Sequence, residues 1–180
     1  MRLIIFSGLP GTGKSSIAET VGRRQGVPVF AKDHLEATLL RSGIYPKQED
    51  SNLGYAGYEL LSLLAERQLF LGQSAILDSV ASFERIRAQW RQLAAAYGAE
   101  WHVIECVCSN TMLQKQRIRT RKRNIRGWHE LHWEDVKKVR AYYEPWQEQR
   151  LVLDAVDLLE ANVSKAMAYL ENHHIRDSGS

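Results

Sequence analysis

The chain has 180 residues, of which 44% are hydrophobic and 25% are charged, as expected for one compact domain with a sizeable core. Its apolar runs span only about four residues, too few for a membrane helix or a signal peptide, so we expect a cytoplasmic protein without a membrane partner. The net charge is +3, but residues 115–126 contain seven basic and no acidic residues and the remaining chain carries −4, so one cationic segment requires a functional explanation.

Five strand-like runs alternate with helical segments along the chain. The predicted strands cover residues 3–7, 28–31, 75–78, 101–107 and 151–154. The predicted helices cover residues 14–24, 33–41, 55–71, 83–97, 112–123, 133–143 and 164–172. This alternation predicts an α/β fold in which helices cover both faces of a five-stranded parallel sheet. We expect a single domain over residues 1–172, with a loop at 43–54 and a frayed tail at 173–180.

A complete phosphate-binding loop follows the first predicted strand. Residues 8–15 match the pattern G-x-x-x-x-G-K-[ST] and lie between a strand and a helix, as this motif requires. Its glycines let backbone N–H groups converge on an anion, and the helix N-terminus adds a positive partial charge. We expect Lys14 to contact the β- and γ-phosphates and Ser15 to bind Mg²⁺. The loop residues expected to contact ATP are Gly8, Pro10, Gly11, Thr12, Gly13, Lys14, Ser15 and Ser16.

Two aspartates lie at the carboxyl ends of predicted strands, at the sheet edge that carries the phosphate loop. Asp33 follows the second strand, and Asp78 ends the third. Asp33 could be the base that takes a proton from an acceptor hydroxyl, or it could be the N-cap of the next helix. Asp78 could hold Mg²⁺, directly or through water, or it could cap the following turn. The residue after Asp78 is Ser79 rather than a glutamate that would orient water, and the sequence has no N-K-x-D guanine-binding motif. This pattern favours transfer of a phosphoryl group to a hydroxyl over hydrolysis.

The cationic segment follows the fourth predicted strand. Within it, Arg117 and Arg121 are four residues apart, as are Arg119 and Arg123, so each pair would share a helix face on which like charges repel. A bound triphosphate would relieve that repulsion. We therefore expect a lid over about residues 115–130 in which Arg117 and Arg121 contact the transferred phosphoryl group. The same side chains could instead form a strip that binds nucleic acid, or a solvated helix face.

Other side chains could contact an acceptor molecule. His34 follows Asp33 and could hydrogen-bond the acceptor, although a histidine in a first helical turn is often simply exposed. His129 and His132 lack a third ligand and do not predict a metal site. The aromatic residues near the predicted loop and after the lid could line a pocket, stack on bases or pack in the core. They are Tyr45, Tyr55, Tyr58, Trp128, Trp133, Tyr142, Tyr143 and Trp146.

Five of these motifs resemble those of a known group of enzymes: the P-loop kinases grouped with the polynucleotide 5′-hydroxyl kinases, chloramphenicol phosphotransferase and the zeta toxins, which are AAA-domain-like small kinases. The motifs are the phosphate loop at 8–15, Lys32-Asp33, Leu77-Asp78, Arg117-Ile118-x-x-Arg121 and Leu153-Asp154. The resemblance implies a three-layer P-loop NTPase sandwich with strand order 2-3-1-4-5. It also implies that adenine lies between the base of the lid and residues 154–157.

The same resemblance implies roles for individual residues. Lys14 and Ser15 would hold phosphates and metal, Asp33 would activate the acceptor hydroxyl, and Arg117 and Arg121 would be lid arginines. We therefore expect a kinase that uses ATP and Mg²⁺ to phosphorylate a hydroxyl of a small molecule. Two alternatives stay open: a polynucleotide 5′-hydroxyl kinase, for which the lid would contact nucleic acid, and an ATP-binding switch without kinase activity.

Overall fold

The computed structural model describes residues 1–43 and 51–177, and side chains are described for residues 1–43 and 52–172. It has a sheet of five parallel strands in the order β2-β3-β1-β4-β5, so both the parallel sheet and the expected order are confirmed. The strands are β1 (Arg2–Ser7), β2 (Val29–Ala31), β3 (Ala75–Asp78), β4 (Glu100–Val107) and β5 (Leu151–Asp154). The described helices are α1 (Lys14–Gln25), α2 (Lys32–Arg41), α3 (Ser51–Phe70), α4 (Glu84–Ala96), α5 (Thr111–Thr120), α6 (Trp133–Tyr142) and α7 (Leu159–Asp177).

The core has two halves, one on each face of the sheet. Successive side chains of a strand point to opposite faces, so Leu3 and Ile5 pack on one side while Ile4 and Phe6 pack on the other. The first side is covered mainly by α3 and α4 and includes the fully buried Trp90. The second side is covered by α1 and α7. Among the described residues, no helix is long and apolar enough to cross a membrane.

The strand register brings the polar ends of three strands together. Asp78, the last residue of β3, pairs in register with Phe6 of β1 and with Ala31 of β2. The phosphate loop begins just beyond β1, and Asp33 lies two residues beyond Ala31. Because carboxyl ends of parallel strands meet at one edge, the fold places the loop and both aspartates side by side.

The predicted boundaries differ from the structure by three or more residues in three helices, α3, α5 and α7. Helix α5 ends at Thr120 rather than at residue 123, because Arg121 has an extended backbone and a continued helix would stack like charges. Helix α7 begins at Leu159 rather than at residue 164. The apolar pattern did not predict this first turn because its side chains are exposed.

Helix α3 includes Ser51 and Gly54, which we assigned to a loop. The expected tail at 173–180 overlaps α7, which continues to Asp177, and residues 178–180 lie outside the described residues. The predictions at Tyr45 and Pro46 also lie outside them.

Candidate functional site

The phosphate loop has a backbone that only glycine can adopt at its start. Gly8 has φ = 137°, and a Cβ there would lie 2.1 Å from the carbonyl oxygen of Cys106 on the neighbouring strand β4. Thr12 closes the loop from within, since its hydroxyl donates to the carbonyl of Leu9 over 2.8 Å. Gly13 precedes α1 in the left-handed conformation, at φ = 76°. The loop thus turns tightly enough to direct N–H groups towards an anion at the start of α1.

The helix α5 that leads into the lid rests directly on this loop. Gln114 is 1% exposed, and its amide donates to the carbonyl of Pro10 over 2.8 Å. The Ile118 side chain lies against Gly11, where a Cβ would approach to 3.1 Å. Arg140 of α6 donates to the side-chain oxygen Oε1 of Gln114 over 3.2 Å and so fixes the orientation of the side-chain amide. These contacts set the direction in which the lid arginines leave α5.

A first cavity of about 330 Å³ lies between the phosphate loop, the lid and the segment that follows β5. Its lining residues are Gly11, Thr12, Gly13, Ser16, Ile17, Arg117, Thr120, Arg121, Ala155, Asp157, Leu159 and Asn162. Arg117 and Arg121 both line it, although Arg121 lies beyond the end of α5 and does not continue the helix face of Arg117. The cavity therefore joins the loop, the lid base and the residues after β5, as the resemblance implies for a nucleotide.

Lys14 and Asp78 meet at the buried end of the loop. Lys14 Nζ lies 3.5 Å from Asp78 Oδ1, and both side chains are buried. Asp78 Oδ1 makes no hydrogen bond to any described residue, so this buried oxygen has capacity for a further ligand. No three His, Cys, Asp or Glu side chains of the described residues cluster as metal ligands. Mg²⁺ needs only one or two protein ligands when phosphates complete its shell, and the Ser15 hydroxyl and Asp78 fit that pattern.

A second cavity of about 430 Å³ lies on the other side of Lys14, between α2, α3, α4 and the lid. Its lining residues are Pro10, Lys14, Lys32, Asp33, Glu36, Gly54, Tyr55, Tyr58, Val80, Ser82, Phe83, Arg85, Ile86, Arg121, Arg123, Trp128, Leu131, Val139 and Tyr142. Pro10 and Lys14 of the phosphate loop line it, whereas Gly11, Thr12 and Gly13 line the first cavity, so the two cavities flank the phosphate loop. Among the described residues, Arg121 is the one side chain that lines both.

Asp33 lines the second cavity and is paired with an arginine of the lid. Helix α2 begins at Lys32 with Ala31 as its N-cap, so Asp33 is inside the helix and is not its N-cap. Its Oδ2 accepts a charged hydrogen bond from Nη1 of Arg123. Burial by itself would raise the pKa of Asp33, but Arg123 and Lys14 outweigh it and the pKa is lowered. Asp33 is therefore an ionised carboxylate held by a lid arginine.

A buried ion pair lines the same cavity, within one helical turn of Asp33 on α2. Glu36 is 4% exposed and pairs with Lys32, one helical turn before it on α2. Burial raises the pKa of Glu36 to about 7, against the opposing effect of Lys32. Lys32 Nζ also lies 4.6 Å from the ring centre of Tyr58 on α3. The second cavity thus has a carboxylate that is fully ionised at neutral pH and another that titrates near it.

Comparison with known sequences assigns the chain to a family. A sequence model described as an AAA domain matches residues 3–146. The chain belongs to this family. It is 32% identical over 121 residues to an uncharacterized protein of Mycobacterium tuberculosis, a match that covers 62% of this chain and 24% of that relative. The chain therefore spans about a quarter of the length of the curated relatives it matches.

Solved structures share the fold of this AAA-domain chain. A gluconokinase from Sinorhizobium meliloti superposes with a TM-score of 0.72 at 16% identity, covering 99% of this chain and 98% of that one. A sugar kinase from Janibacter superposes with a TM-score of 0.72 at 17% identity, covering 95% of both chains. The Mycobacterium tuberculosis APS kinase, solved with AMPPNP and APS, superposes with a TM-score of 0.66 at 19% identity over 94% of this chain and 97% of that one. At such identities the likeness shows the fold, which is that of P-loop kinases and confirms the resemblance.

Not every residue singled out in the sequence reaches the cavities. His34 is exposed and does not line either of them. Tyr55, Tyr58, Trp128 and Tyr142 line the second cavity. Trp146 packs in the core, and Tyr143 donates a hydrogen bond to Glu105. Trp133 lies beyond the lid, beneath the ammonium of Lys115, and His132 is the N-cap of α6.

The sequence analysis missed three residues of the second cavity. Arg123 was assigned to a helix face with Arg119, whereas it lies beyond α5 and reaches Asp33. Lys32 and Glu36 were not assigned a role. Their spacing of four residues is compatible with an ion pair on a helix, but such pairs are usually exposed, and the sequence does not show that α3 buries this one.

Proposed function

We propose that this AAA-domain chain is an ATP-dependent kinase that transfers the γ-phosphoryl group to a hydroxyl of a small molecule. The observation that carries this proposal is that Arg121 lines both cavities, while Lys14 of the phosphate loop and the ionised Asp33 line the second. One cavity has the features of a nucleotide site, and the other is a cleft that contains a candidate base.

The roles follow from this placement. ATP binds in the first cavity with its phosphates on the loop at 8–15, so that Lys14 and Arg121 stabilise charge that develops on the γ-phosphoryl oxygens. Mg²⁺, held by Ser15 and Asp78, would neutralise the β- and γ-phosphate oxygens. The acceptor lies in the second cavity with its hydroxyl at Asp33.

The transfer itself needs one base. The acceptor oxygen forms a bond to the γ-phosphorus, the bond from that phosphorus to the β,γ-bridging oxygen breaks, and ADP leaves. The acceptor proton passes to a carboxylate oxygen of Asp33. Arg123 occupies Oδ2 of that carboxylate, so the proton goes to Oδ1 or Arg123 moves aside. Arg117, at the base of the lid, contacts the nucleotide in the first cavity.

The proposed unit is one domain over residues 1–172 with a lid at about 115–130. Because the match covers only 24% of the curated relative, this assignment concerns the domain, and further segments of a longer protein could change its acceptor. ATP and Mg²⁺ are the proposed cofactor set, and a cytoplasmic location is part of the same proposal.

A polynucleotide kinase is the second candidate, and one surface favours it. A groove of about 990 Å³ on the outer side of the lid contains Lys115, Arg119 and Lys122 beside Trp133. Basic side chains beside an aromatic ring can bind single-stranded nucleic acid. This reading predicts that binding of an oligonucleotide weakens steeply as salt is raised, whereas a small-molecule kinase shows no such binding.

The test of the proposed function is Asp33→Asn. The substitution removes the base and keeps the shape, so acceptor-dependent ADP release should fall by about 10²–10⁴-fold while the KM for ATP changes little. Glu19→Gln, another carboxyl-to-amide change at an exposed helix position, is the matched control. Acceptor-dependent transfer that survives in Asp33→Asn would remove Asp33 as the base. A broad acceptor screen that yields only slow hydrolysis would favour an ATP-binding switch.

A further inference from the structure

The wall of the second cavity beside Asp33 contains a pair of opposite charges on helix α2. The Glu36 side chain is 5% exposed and the Lys32 side chain is 14% exposed, and the two form an ion pair. Room for Glu36 comes from Gly57 of α3, where a Cβ would lie 2.8 Å from Glu36 Cγ. Gly54 is one turn earlier on the same helix, and a Cβ there would lie 3.9 Å from both Lys32 Nζ and Glu36 Oε1. Two glycines on α3 thus leave space for the pair at the cavity wall.

Burying such a pair has an energetic cost that packing alone does not explain. Replacing a buried ion pair by apolar side chains of similar size is often neutral or stabilising. Here the pair lies against a cavity and not within a sealed core, so its unused hydrogen-bonding capacity faces the space in which an acceptor binds. The ammonium has three donors and the carboxylate has about four lone-pair sites, so the bond between them leaves most of both free.

The chemistry of this wall suits neighbouring hydroxyl groups. Each hydroxyl both donates and accepts, so two adjacent hydroxyls can satisfy a carboxylate and an ammonium at once. Tyr142, whose ring stacks on Phe83, and Tyr58, whose ring lies under the ammonium of Lys32, also line the cavity and add carbon surface for the C–H side of a ring.

We propose that the acceptor is a polyhydroxyl compound, in which one hydroxyl donates to Glu36, a neighbouring hydroxyl accepts from Lys32, and a third is presented to Asp33. The proposal deepens the proposed function and rests on it. Glu36 and Lys32 are specificity-determining residues in this scheme and take no part in the transfer of the phosphoryl group.

The charge arrangement disfavours an anionic polymer in this cavity. Two of its cations are already paired, Lys32 with Glu36 and Arg123 with Asp33. Lys14 and Arg121 face the transferred phosphoryl group. A fifth cation of the cavity, Arg85, lies over the ring of Tyr55. A strand of phosphates would therefore meet two carboxylates and one further cation, whereas an uncharged polyol meets donors and acceptors together.

The test compares polyols with analogues that lack one hydroxyl. ADP release is measured for the wild type with hexoses, pentoses and cyclitols, with their monodeoxy analogues, with aromatic monoalcohols and with a 5′-hydroxyl oligonucleotide. The same panel is run on Glu36→Gln, on the double variant Lys32→Gln/Glu36→Gln, and on Glu59→Gln. Glu59 is exposed on α3, so it controls for the loss of a carboxylate near the site. The double variant removes both buried charges and remains informative if Glu36→Gln alone does not fold.

A polyol should be the best acceptor, and Glu36→Gln should raise its KM by about 10–100-fold, the usual effect of losing a charged hydrogen bond. The KM for ATP and the acceptor-free hydrolysis should stay unchanged. The decisive result is that one monodeoxy analogue is penalised in the wild type and is no longer penalised in Glu36→Gln.

A best acceptor that is a monoalcohol or an oligonucleotide would overturn this inference and leave the proposed kinase intact. The same holds if the deoxy penalty is equal in the wild type and in both variants. Hydrolysis without any phosphorylated acceptor would overturn the kinase and, with it, the polyol.

Discussion

The bond between Asp33 and Arg123 makes the pH dependence of the reaction depend on the lid. Arg123→Gln removes the positive charge and keeps a side chain that can hydrogen-bond. Because Arg123 lowers the pKa of Asp33, its loss should raise that pKa, and the base should then be protonated over more of the acidic range. Activity should fall most at low pH and least above neutrality.

The size of the effect follows from the position of the two groups. Unit charges about 4 Å apart interact by about 4 kcal/mol at an effective dielectric constant of about 20. The Asp33 side chain is 28% exposed and the Arg123 side chain is 9% exposed, so solvent screens part of this interaction. Lys14 and Lys32 also remain beside the carboxylate. We expect the acidic limb of the kcat/KM profile to move to higher pH by at least about one unit.

The assay is the initial rate of ADP release from about pH 3 to about pH 9 at saturating ATP, a range that includes both the ordinary pKa of Asp and neutrality. Lys122→Gln removes a neighbouring lid charge from an exposed side chain and is the matched control. If the acidic limbs of Arg123→Gln and the wild type coincide, Arg123 does not set the proton affinity of the base. If Lys122→Gln moves the limb as far as Arg123→Gln does, the effect is a general one of net charge and not of this bond.

Three further changes test other parts of the structure. Gly8→Ala should abolish ATP binding, measured by calorimetry, because its Cβ would overlap the Cys106 carbonyl oxygen at 2.1 Å. Gly13→Ala has open space around its Cβ and should lower the free energy of unfolding by only about 1–2 kcal/mol, the cost of a left-handed backbone. Arg87→Met should lower the free energy of unfolding in urea by about 3–5 kcal/mol, because the fully buried guanidinium donates to three backbone carbonyls. The Glu36 carboxyl binds its proton more tightly in the folded chain, where its pKa is raised from 4.5 to about 7. The free energy of unfolding of the wild type, relative to that of Glu36→Gln, should therefore decrease as the pH rises from 4.5 to about 7.

Each of these has an outcome that contradicts it. Equal ATP affinity for Gly8→Ala and Gly13→Ala would show that the loop relaxes away from the strand carbonyl. A urea midpoint for Arg87→Met close to that of the wild type would show that water satisfies the three carbonyls. Parallel stability profiles for the wild type and Glu36→Gln would show that Lys32 compensates fully for burial.

The sequence was sufficient for the features that depend on local pattern. Alternating apolar runs predicted all five strands, and the motif at 8–15 predicted the phosphate loop between a strand and a helix. The rule that parallel strands end at one edge then placed Asp33 and Asp78 beside that loop. These predictions succeed because strand period, glycine geometry and helix polarity are determined by neighbours in the sequence.

The rest depends on contacts between distant parts of the chain. The pair of Asp33 and Arg123 joins residues 90 positions apart, and it exists because α5 stops at Thr120 and releases the lid. Burial of Glu36 depends on α3, whose Gly57 leaves the space that the side chain fills. No local pattern on α2 contains that information, so the sequence predicted no role for Lys32 and Glu36.

Arg121 lines both cavities, and this position has a thermodynamic consequence. The pKa of its guanidinium is lowered, first by burial and then by the charge of Arg123, so the charge is held in an unfavourable place until an anion arrives. If nucleotide binding reorganises Arg121 and thereby changes the affinity for acceptor, acceptor must change the affinity for nucleotide by the same factor, because coupling between two ligands is reciprocal. One shared side chain is thus a route by which each ligand senses the other.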